Sequence, residues 1–225
     1  MMNYKFDILA KPDFSSVKIT IPAGEKLKVE ASSMSSMDSH ISMKTKLKGG
    51  LGRFLSNESV FINEFTSEGA DGEIMLSPGP SGDISHYDVT QGDLFLTSSS
   101  FVASGSNVNI DSKFQGFAKG FFSGEGLFIM KCSGQGDVWF NSYGAIIEVD
   151  IEDEYFVDTG HIVAFTSGLD YEVKSFGGYK SFFFSGEGFI ARFKGKGRVW
   201  IQSKQPYALV SWADRYRRIE KRNNN

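Results

Sequence analysis

The side chains that most often carry chemistry are few in this chain and widely spaced. It contains three histidines, His40, His86 and His161, and one cysteine, Cys132. No two histidines stand four residues apart, as on one face of a metal-binding helix, and Cys132 has no partner at zinc-finger spacing. A cysteine nucleophile needs a neighbouring base that lowers its pKa, and the residues around Cys132 offer none. The sequence therefore predicts a protein without enzymatic activity, metal or cofactor.

Two glutamates and two tryptophans recur in matching sequence contexts. Glu125 and Glu187 both lie in Ser-Gly-Glu-Gly, and Trp139 and Trp200 both end a Gly-x-Val-Trp sequence. Paired carboxylates can act as a general acid and base, but a glutamate between two glycines is typical of a turn. A tryptophan within a strand more often packs in a core than binds a ligand. We interpret both pairs as structural.

A long repeat surrounds these residues. The sequence FFSGEG occurs at residues 121–126 and again at 183–188, and both copies continue to the Gly-x-Val-Trp sequence. A weaker third copy reads EGADGEIMLSPGPSGDISHY, in which Gly72 and Gly82 align with Gly126 and Gly136. Such self-similarity indicates a repeat architecture.

Another recurring segment precedes each of these copies, and it places Val29, Leu96 and Val157 at equivalent positions. The two segment types alternate three times. The predicted repeat units therefore span approximately residues 17–86, 87–142 and 147–203.

Both segment types combine short alternating apolar runs with glycine-containing turns. Val17, Ile19 and Ile21 alternate before a turn at Gly24, which is typical of strands joined in β-hairpins. Because a hairpin buries only one face, three hairpin repeats must pack on each other. The sequence predicts a single all-β domain over residues 1–225, a compact sandwich or barrel. Its three repeats are expected to be related by pseudo-threefold symmetry in a closed arrangement with few exposed edges.

A C-terminal α-helix is predicted over residues 211–222, with Ser211 as its N-cap. Trp212, Tyr216 and Ile219 fall on one face at helical spacing. We expect this face to pack against the rest of the protein. Alternatively the helix docks on an anionic membrane or a protein partner, because residues 214–222 carry a net charge of +3.

Basic residues recur in the three linkers that join the two segment types. If the linkers gather at one end of the protein, they form a ring that binds an anionic partner; otherwise they only form soluble turns. The predicted anion- or partner-binding residues are Lys46, Lys48, Arg53, Lys113, Lys119, Lys174 and Lys180 in the linkers and Arg215, Arg218 and Arg222 in the helix.

Charge and cysteine content restrict the cellular setting. The net charge of −3 argues against nucleic acid as the main partner, and a single cysteine permits no intrachain disulfide. The N-terminus lacks the pattern of a secretory signal, and no apolar run has the length of a membrane span. We expect a cytoplasmic protein.

Several motifs resemble the family named for altered inheritance of mitochondria. They are GGL at residues 49–51, the paired FxxGEG and GxGxVW blocks, and VDTGHIVAF at residues 157–165. The resemblance implies an all-β fold similar to the tryptophan RNA-binding attenuation protein and the double-stranded β-helix. This family has many bacterial members and a fungal mitochondrial branch linked to inner-membrane organisation. The resemblance supplies no catalytic residues.

These observations predict a non-enzymatic binding or scaffold protein that self-associates as a homo-oligomer, with a protein or anionic lipid as a further partner. A second interpretation is a small-molecule or lipid-binding β-barrel, whose cavity would be lined by repeat-equivalent aromatic residues. A peripheral protein that docks on an anionic membrane is a further alternative. An enzyme is the remaining one and would require a close cluster of His40, His86 and His161.

Overall fold

The computed structural model of the protein describes residues 4–46, 62–111, 129–175 and 189–217. These residues form nineteen strands, all paired antiparallel, and one α-helix. The prediction of an all-β fold with a C-terminal helix is therefore confirmed. The strands are β1 (Lys5–Leu9), β2 (Ser16–Ile21), β3 (Lys26–Glu30), β4 (Met34–Met37), β5 (Ile41–Lys46), β6 (Ile62–Ser67), β7 (Gly72–Leu76), β8 (Ile84–Asp88), β9 (Leu94–Thr97), β10 (Phe101–Gly105), β11 (Val108–Asp111), β12 (Ile129–Gly134), β13 (Asp137–Asn141), β14 (Ile146–Ile151), β15 (Glu154–Asp158), β16 (Ile162–Thr166), β17 (Leu169–Ser175), β18 (Phe189–Gly195) and β19 (Gly197–Gln202).

Four sheets contain these strands. The first has the order β1-β2-β7-β4, the second β5-β6-β3-β10-β13-β8, the third β11-β12-β9-β16-β19-β14 and the fourth β15-β18-β17. One apolar core joins the first and second sheets, another joins the second and third, and the last joins the third and fourth. The two six-stranded sheets therefore bury apolar side chains on both faces, whereas each outer sheet contributes to one core.

The same pairing scheme recurs in three units of six strands, which are β2 to β7, β8 to β13 and β14 to β19. In each unit the sixth strand pairs with the first and third, and the fifth pairs with the second and fourth. Neighbouring units join through the third strand of one and the second strand of the preceding unit, as β10–β3 and β16–β9. The predicted boundary between residues 86 and 87 falls inside β8, so the second unit begins earlier than expected.

Two successive strands predicted as a hairpin do not pair with each other. β2 pairs with β1 and β7 in the first sheet, whereas β3 pairs with β6 and β10 in the second. The turn at Gly24 carries the chain across the core, where Val17 and Ile19 of β2 face Leu27 and Val29 of β3. Alternating apolar residues specify a buried face but not the sheet that a strand joins. The hairpin prediction at this turn is therefore wrong.

The alignment of the weaker repeat copy is also corrected. Met75, Trp139 and Trp200 each pair with the strand residue that follows the same irregularity, in β4, β10 and β16. Counting back three residues places Gly72 at the position of Gly136 and Gly197 rather than of Gly126. The structure requires this alignment because all three glycines lie where the chain crosses between sheets, immediately before or at the start of the sixth strand.

The closed arrangement is absent among the described strands. Two junctions between units pair, but β4 and β15, which would form the third, remain separate edges of the first and fourth sheets. The three recurring units are present, and they form a linear array that does not close on itself. Closure would require strands from the two outer sheets to meet, and two shared sheets lie between them.

The C-terminal helix α1 spans Pro206–Asp214 and begins five residues before the predicted N-cap Ser211. Proline suits the first turn because its φ is already helical and its missing N–H has no helical partner there. Gln205 is the N-cap residue and makes no side-chain capping bond. Ser211 lies inside the helix, so the predicted capping box is wrong, and residues 218–225 lie outside the described part.

The crossing from β18 to β19 requires glycine at residue 195. Gly195 has φ +124°, and a Cβ atom there would lie 2.5 Å from the carbonyl oxygen of Gly168. Gly24 also has a positive φ, +78°, but a Cβ atom there would meet nothing within 4 Å. A side chain at residue 24 would therefore introduce backbone strain alone, whereas one at residue 195 would introduce both backbone strain and a clash with a carbonyl oxygen.

We expect Gly195→Ala to lower the free energy of unfolding by about 3 kcal/mol, because it adds a clash to an unfavourable backbone conformation. Gly24→Ala is the matched control and should cost only about 1 kcal/mol. Urea unfolding followed by tryptophan fluorescence measures both. Equal losses in the two variants would contradict the structural explanation.

Candidate interaction surfaces

The third strand of a unit has very different surroundings in the three units. Every residue of β10 is buried, as are all residues of β16 except the last. All four residues of the corresponding strand β4 are exposed, including Met34 and Met37. All three strands nevertheless carry the same irregularity in their pairing with the sixth strand. Unit 1 therefore exposes a strand that the other units bury.

The predicted equivalence of Val29, Leu96 and Val157 is confirmed by the pairing of the second strands. These residues occupy the same place in the pairs β3–β6, β9–β12 and β15–β18. At the two junctions between units, Val29 is opposite Ala103 and Leu96 is opposite Ala164. Val157 lacks the corresponding neighbour, because β15 pairs only with β18 among the described strands.

β15 is consequently the second uncovered strand. Tyr155 and Phe156 are exposed, and 53% of Phe156 is accessible to solvent. Val157 is buried in the third core. Glu154 forms an ion pair with Arg192 of the neighbouring strand β18. The open edge of the fourth sheet thus carries two exposed aromatic side chains, and no described strand pairs with its outer backbone groups.

Sequence reasoning missed both uncovered strands. When the sequence is aligned on Val29, Leu96 and Val157, three segments occupy equivalent positions. They are Met-Ser-Ser-Met at residues 34–37, Phe-Val-Ala-Ser at 101–104 and Ile-Val-Ala-Phe at 162–165. The replacement of valine and alanine by two serines within an otherwise equivalent strand was the available signal. It distinguishes an end of the repeat array from its interior.

Helix α1 exposes its apolar side chains. Tyr207, Leu209 and Trp212 are exposed, Trp212 by 59%, and no residue of the helix is buried. The ring of Trp212 lies 5.3 Å from the ring of Tyr216 between centroids. These two rings pack on each other, so the expected packing of this face on the rest of the protein is wrong. Ile219 lies outside the described residues.

The helix is also short. No helix in the four described ranges is both long enough and apolar enough to cross a membrane.

The structure describes only three of the predicted anion-binding residues. Lys46 ends β5 and Lys174 lies in β17, the fourth strands of units 1 and 3, and Arg215 is exposed just after α1. The remaining seven lie outside the described residues, so the basic ring stays a prediction. They are Lys48, Arg53, Lys113, Lys119, Lys180, Arg218 and Arg222.

The three histidines make separate contacts within the fold. Nε2 of His40 lies 3.2 Å from the carbonyl oxygen of Asp71, and Nδ1 of His161 lies 2.6 Å from that of Gln202. Nε2 of His86 lies 2.7 Å from a carboxylate oxygen of buried Asp137. Within the described ranges, no group of three or more His, Cys, Asp or Glu side chains is arranged to hold a metal ion.

Cys132 is fully buried in the second core. Burial raises the pKa of its thiol to about 12, because a buried thiolate loses its hydration. The thiol therefore stays protonated at neutral pH and lacks the reactivity of a nucleophile.

The repeat-equivalent tryptophans are enclosed by other aromatic side chains. Trp139 packs edge-to-face on Phe6 with 5.4 Å between centroids. Trp200 packs edge-to-face on Tyr87 and Phe140, at 5.7 and 5.5 Å. Aromatic side chains of the core thus cover the parts of the tryptophan rings on which a ligand would have to stack.

A carboxylate with an unusual environment lies just before β4. The carboxylate of Glu30, the last residue of β3, accepts a hydrogen bond from Ser33 Oγ at 3.3 Å. Burial raises the pKa of Glu30 to about 7, and the hydrogen bond from Ser33 opposes this shift only in part. The folded protein therefore binds this proton more tightly than the unfolded chain does. Its stabilising effect is complete below the unfolded-state pKa and is lost as pH rises through the folded-state pKa.

We expect Glu30→Gln to raise the free energy of unfolding at pH 8 by about 1–2 kcal/mol, after allowance for partial solvent exposure, and to have little effect near pH 4. Glutamine mimics the protonated carboxyl, so the variant should lose part of the decline in stability between about pH 4.5 and pH 7. Chemical unfolding across this range measures the effect. The exposed Glu68→Gln control should keep the wild-type pH dependence; an unchanged profile for Glu30→Gln would contradict the burial argument.

Comparison with known proteins extends these observations. The sequence profile of the family described as Mitochondrial biogenesis AIM24 matches residues 6–204. An uncharacterized protein of Streptococcus pyogenes serotype M6 is 30% identical, over 94% of this chain and 90% of that protein. The crystal structure of protein SPYM3_0169 from Streptococcus pyogenes superposes with a TM-score of 0.81 at 26% identity, covering 96% of this chain and all of that one.

Proposed function

This chain belongs to the AIM24 family, as the resemblance predicted, and we propose that it is a non-enzymatic scaffold protein that self-associates. The observation that carries the proposal is the uncovered strand β4, whose equivalents β10 and β16 are buried at junctions between units. An exposed strand edge with apolar side chains favours pairing with another chain. The fold thus offers a surface for assembly.

The state of the reactive side chains supports the non-enzymatic part of this proposal. The thiol of Cys132 is buried and protonated, and each histidine contacts a carbonyl or carboxylate of its own fold. The packing around Trp139 and Trp200 favours a scaffold over the ligand-binding barrel. The proposed location is the cytoplasm, where a single reduced cysteine is common.

We expect the wild-type protein to sediment as species larger than its 24.9 kDa monomer, with a distribution that shifts with concentration. Sedimentation velocity between about 1 and about 100 µM covers the affinity range of weak to moderate self-association. A single monomeric boundary at every concentration would overturn the scaffold proposal. Native mass spectrometry of the same samples separates a homo-oligomer from a monomer that retains a ligand.

A second candidate function is peripheral docking on an anionic membrane through α1. Trp212 and Tyr216 are exposed next to each other, and aromatic residues of this kind favour the membrane interface. Residues 214–222 add a net charge of +3, which complements anionic headgroups. The observation specific to this function is that α1 buries none of its residues in the protein.

We expect Trp212→Ala combined with Tyr216→Ala to weaken binding to phosphatidylglycerol vesicles about tenfold or more, because two interfacial aromatic contacts are lost. Phe14→Ala, at a 73% exposed aromatic residue between β1 and β2, is the matched control and should bind as wild type does. Vesicle co-sedimentation measures both variants. Equal binding to phosphatidylcholine vesicles would contradict the preference for anionic headgroups, and no effect of the double substitution would exclude docking through this helix.

A further inference from the structure

Two junctions inside the chain define how one unit pairs with the next. In both, a small residue of the third strand lies opposite an aliphatic residue of the preceding unit's second strand, as Ala103–Val29 and Ala164–Leu96. The residue after each alanine lies opposite the residue before the aliphatic one. The pairing register is therefore the same at both junctions.

The uncovered strands hold the residues that a third junction of this kind would use. Ser36 occupies the position of the two alanines, because it follows the same irregularity in pairing with the sixth strand. Val157 occupies the position of the two aliphatic residues. The small and aliphatic pair is thus preserved in Ser36 and Val157, although these residues belong to the first and fourth sheets and do not pair.

β4 lacks the features that usually prevent strands from pairing edge to edge. It contains no charged residue and no proline, and its irregularity is shared by β10 and β16, which do pair on both sides. The N–H of Asp38 donates to Glu73 O of β7 at 3.0 Å. Because strand residues alternate in direction, the N–H and C=O of Met37 point away from β7, toward the open side.

We propose that β4 of one copy pairs with β15 of a second copy in the register of the internal junctions. Ser36 of one chain then lies opposite Val157 of the other, and Met37 lies opposite Phe156. This inference rests on the proposed self-association and gives it a surface and a register. The partner is a second copy because only a strand with the properties of β15 continues an interface that the chain already forms twice.

The face of the first sheet that points away from the first core fits the same arrangement. Trp139 of unit 2 completes the first core and Trp200 of unit 3 completes the second, so each core takes a residue from the following unit. Among the described residues, no further unit follows the third core. Met75, which is equivalent to the two tryptophans and half-buried, would complete the third core of the neighbouring copy.

Such an assembly is head to tail. Each copy uses β4 for one neighbour and leaves β15 for another, so the contact is heterologous and produces a ring or a filament rather than a symmetric dimer. The edges of one chain cannot satisfy each other here, since the second and third sheets lie between them.

The first test places a lysine on the proposed interface. Met37→Lys should weaken self-association about tenfold or more in sedimentation velocity, since a charge on the strand edge opposes pairing. Met43→Lys is the matched control: it alters an exposed methionine of β5, an edge strand that neither internal junction uses, and should assemble as wild type does. Circular dichroism verifies that both variants fold.

The second test fixes the register by disulfide formation. Opposed strand residues have Cα atoms about 4.5–5.5 Å apart, within the range that a disulfide spans. Mixing Met37→Cys protein with Phe156→Cys protein under mild oxidation should yield a covalent dimer. The off-register mixture of Met34→Cys with Phe156→Cys should not. Native Cys132 is fully buried and gives no background.

The outcomes separate this inference from the scaffold proposal. Association that Met37→Lys weakens, together with the in-register disulfide, supports both. Association that withstands Met37→Lys, with no preference for the in-register cysteine pair, overturns the strand pairing but leaves the scaffold proposal standing. A protein that stays monomeric and forms no disulfide overturns both.

Discussion

The two central sheets bury apolar side chains on both faces, and the arrangement of the units depends on this sharing. Along β13 the side chains alternate between cores: Val138 and Phe140 face the second core, and Trp139 faces the first. A strand of this kind has no solvent-facing side, so its three central residues are all apolar. Each unit therefore needs its neighbour, because part of every internal core belongs to the next unit along the chain.

At the two ends of the array an outer sheet contributes to only one core, and the strands and residues at these ends differ from those inside the array. The first sheet gains an additional strand, β1, which pairs with β2. The residue before it, Tyr4, is held by a hydrogen bond from its backbone N–H to buried Asp137 at 3.1 Å and by its hydroxyl, which donates to Lys26 O at 2.6 Å. This strand covers one edge of the first sheet. The opposite edge, β4, has serines where the interior strands have buried apolar residues, and no described strand covers it.

Composition and alternation were enough to predict the all-β class, and internal sequence similarity was enough to predict the three recurring units and the equivalence of Val29, Leu96 and Val157. They could not predict which sheet a strand joins, because a turn such as that at Gly24 can reverse a strand within a sheet or carry it across a core. The distinction depends on the pairing of distant residues, here β3 with β6 and β10. The same limit explains the misaligned Gly72. For the C-terminal helix, the spacing of Trp212 and Tyr216 correctly indicated that their rings lie side by side. Spacing alone does not say whether the protein has a surface on which they can pack.

The two proposed contact surfaces belong to different elements of the fold. The uncovered strands belong to the outer sheets, whereas α1 follows β19, a strand of the third sheet that pairs on both sides. Gln202 ends β19 and fixes the start of this segment: its side chain accepts from the N–H of Tyr143 and donates to Gly160 O, both at 2.9 Å. A head-to-tail assembly in which α1 stays exposed would carry one such helix for each copy. Because linked binding elements raise the effective concentration of one another, an array of copies would bind a surface far more tightly than a single short helix could. Self-association and docking would then be successive steps of one function, in which pairing of the strand edges sets the number of helices available.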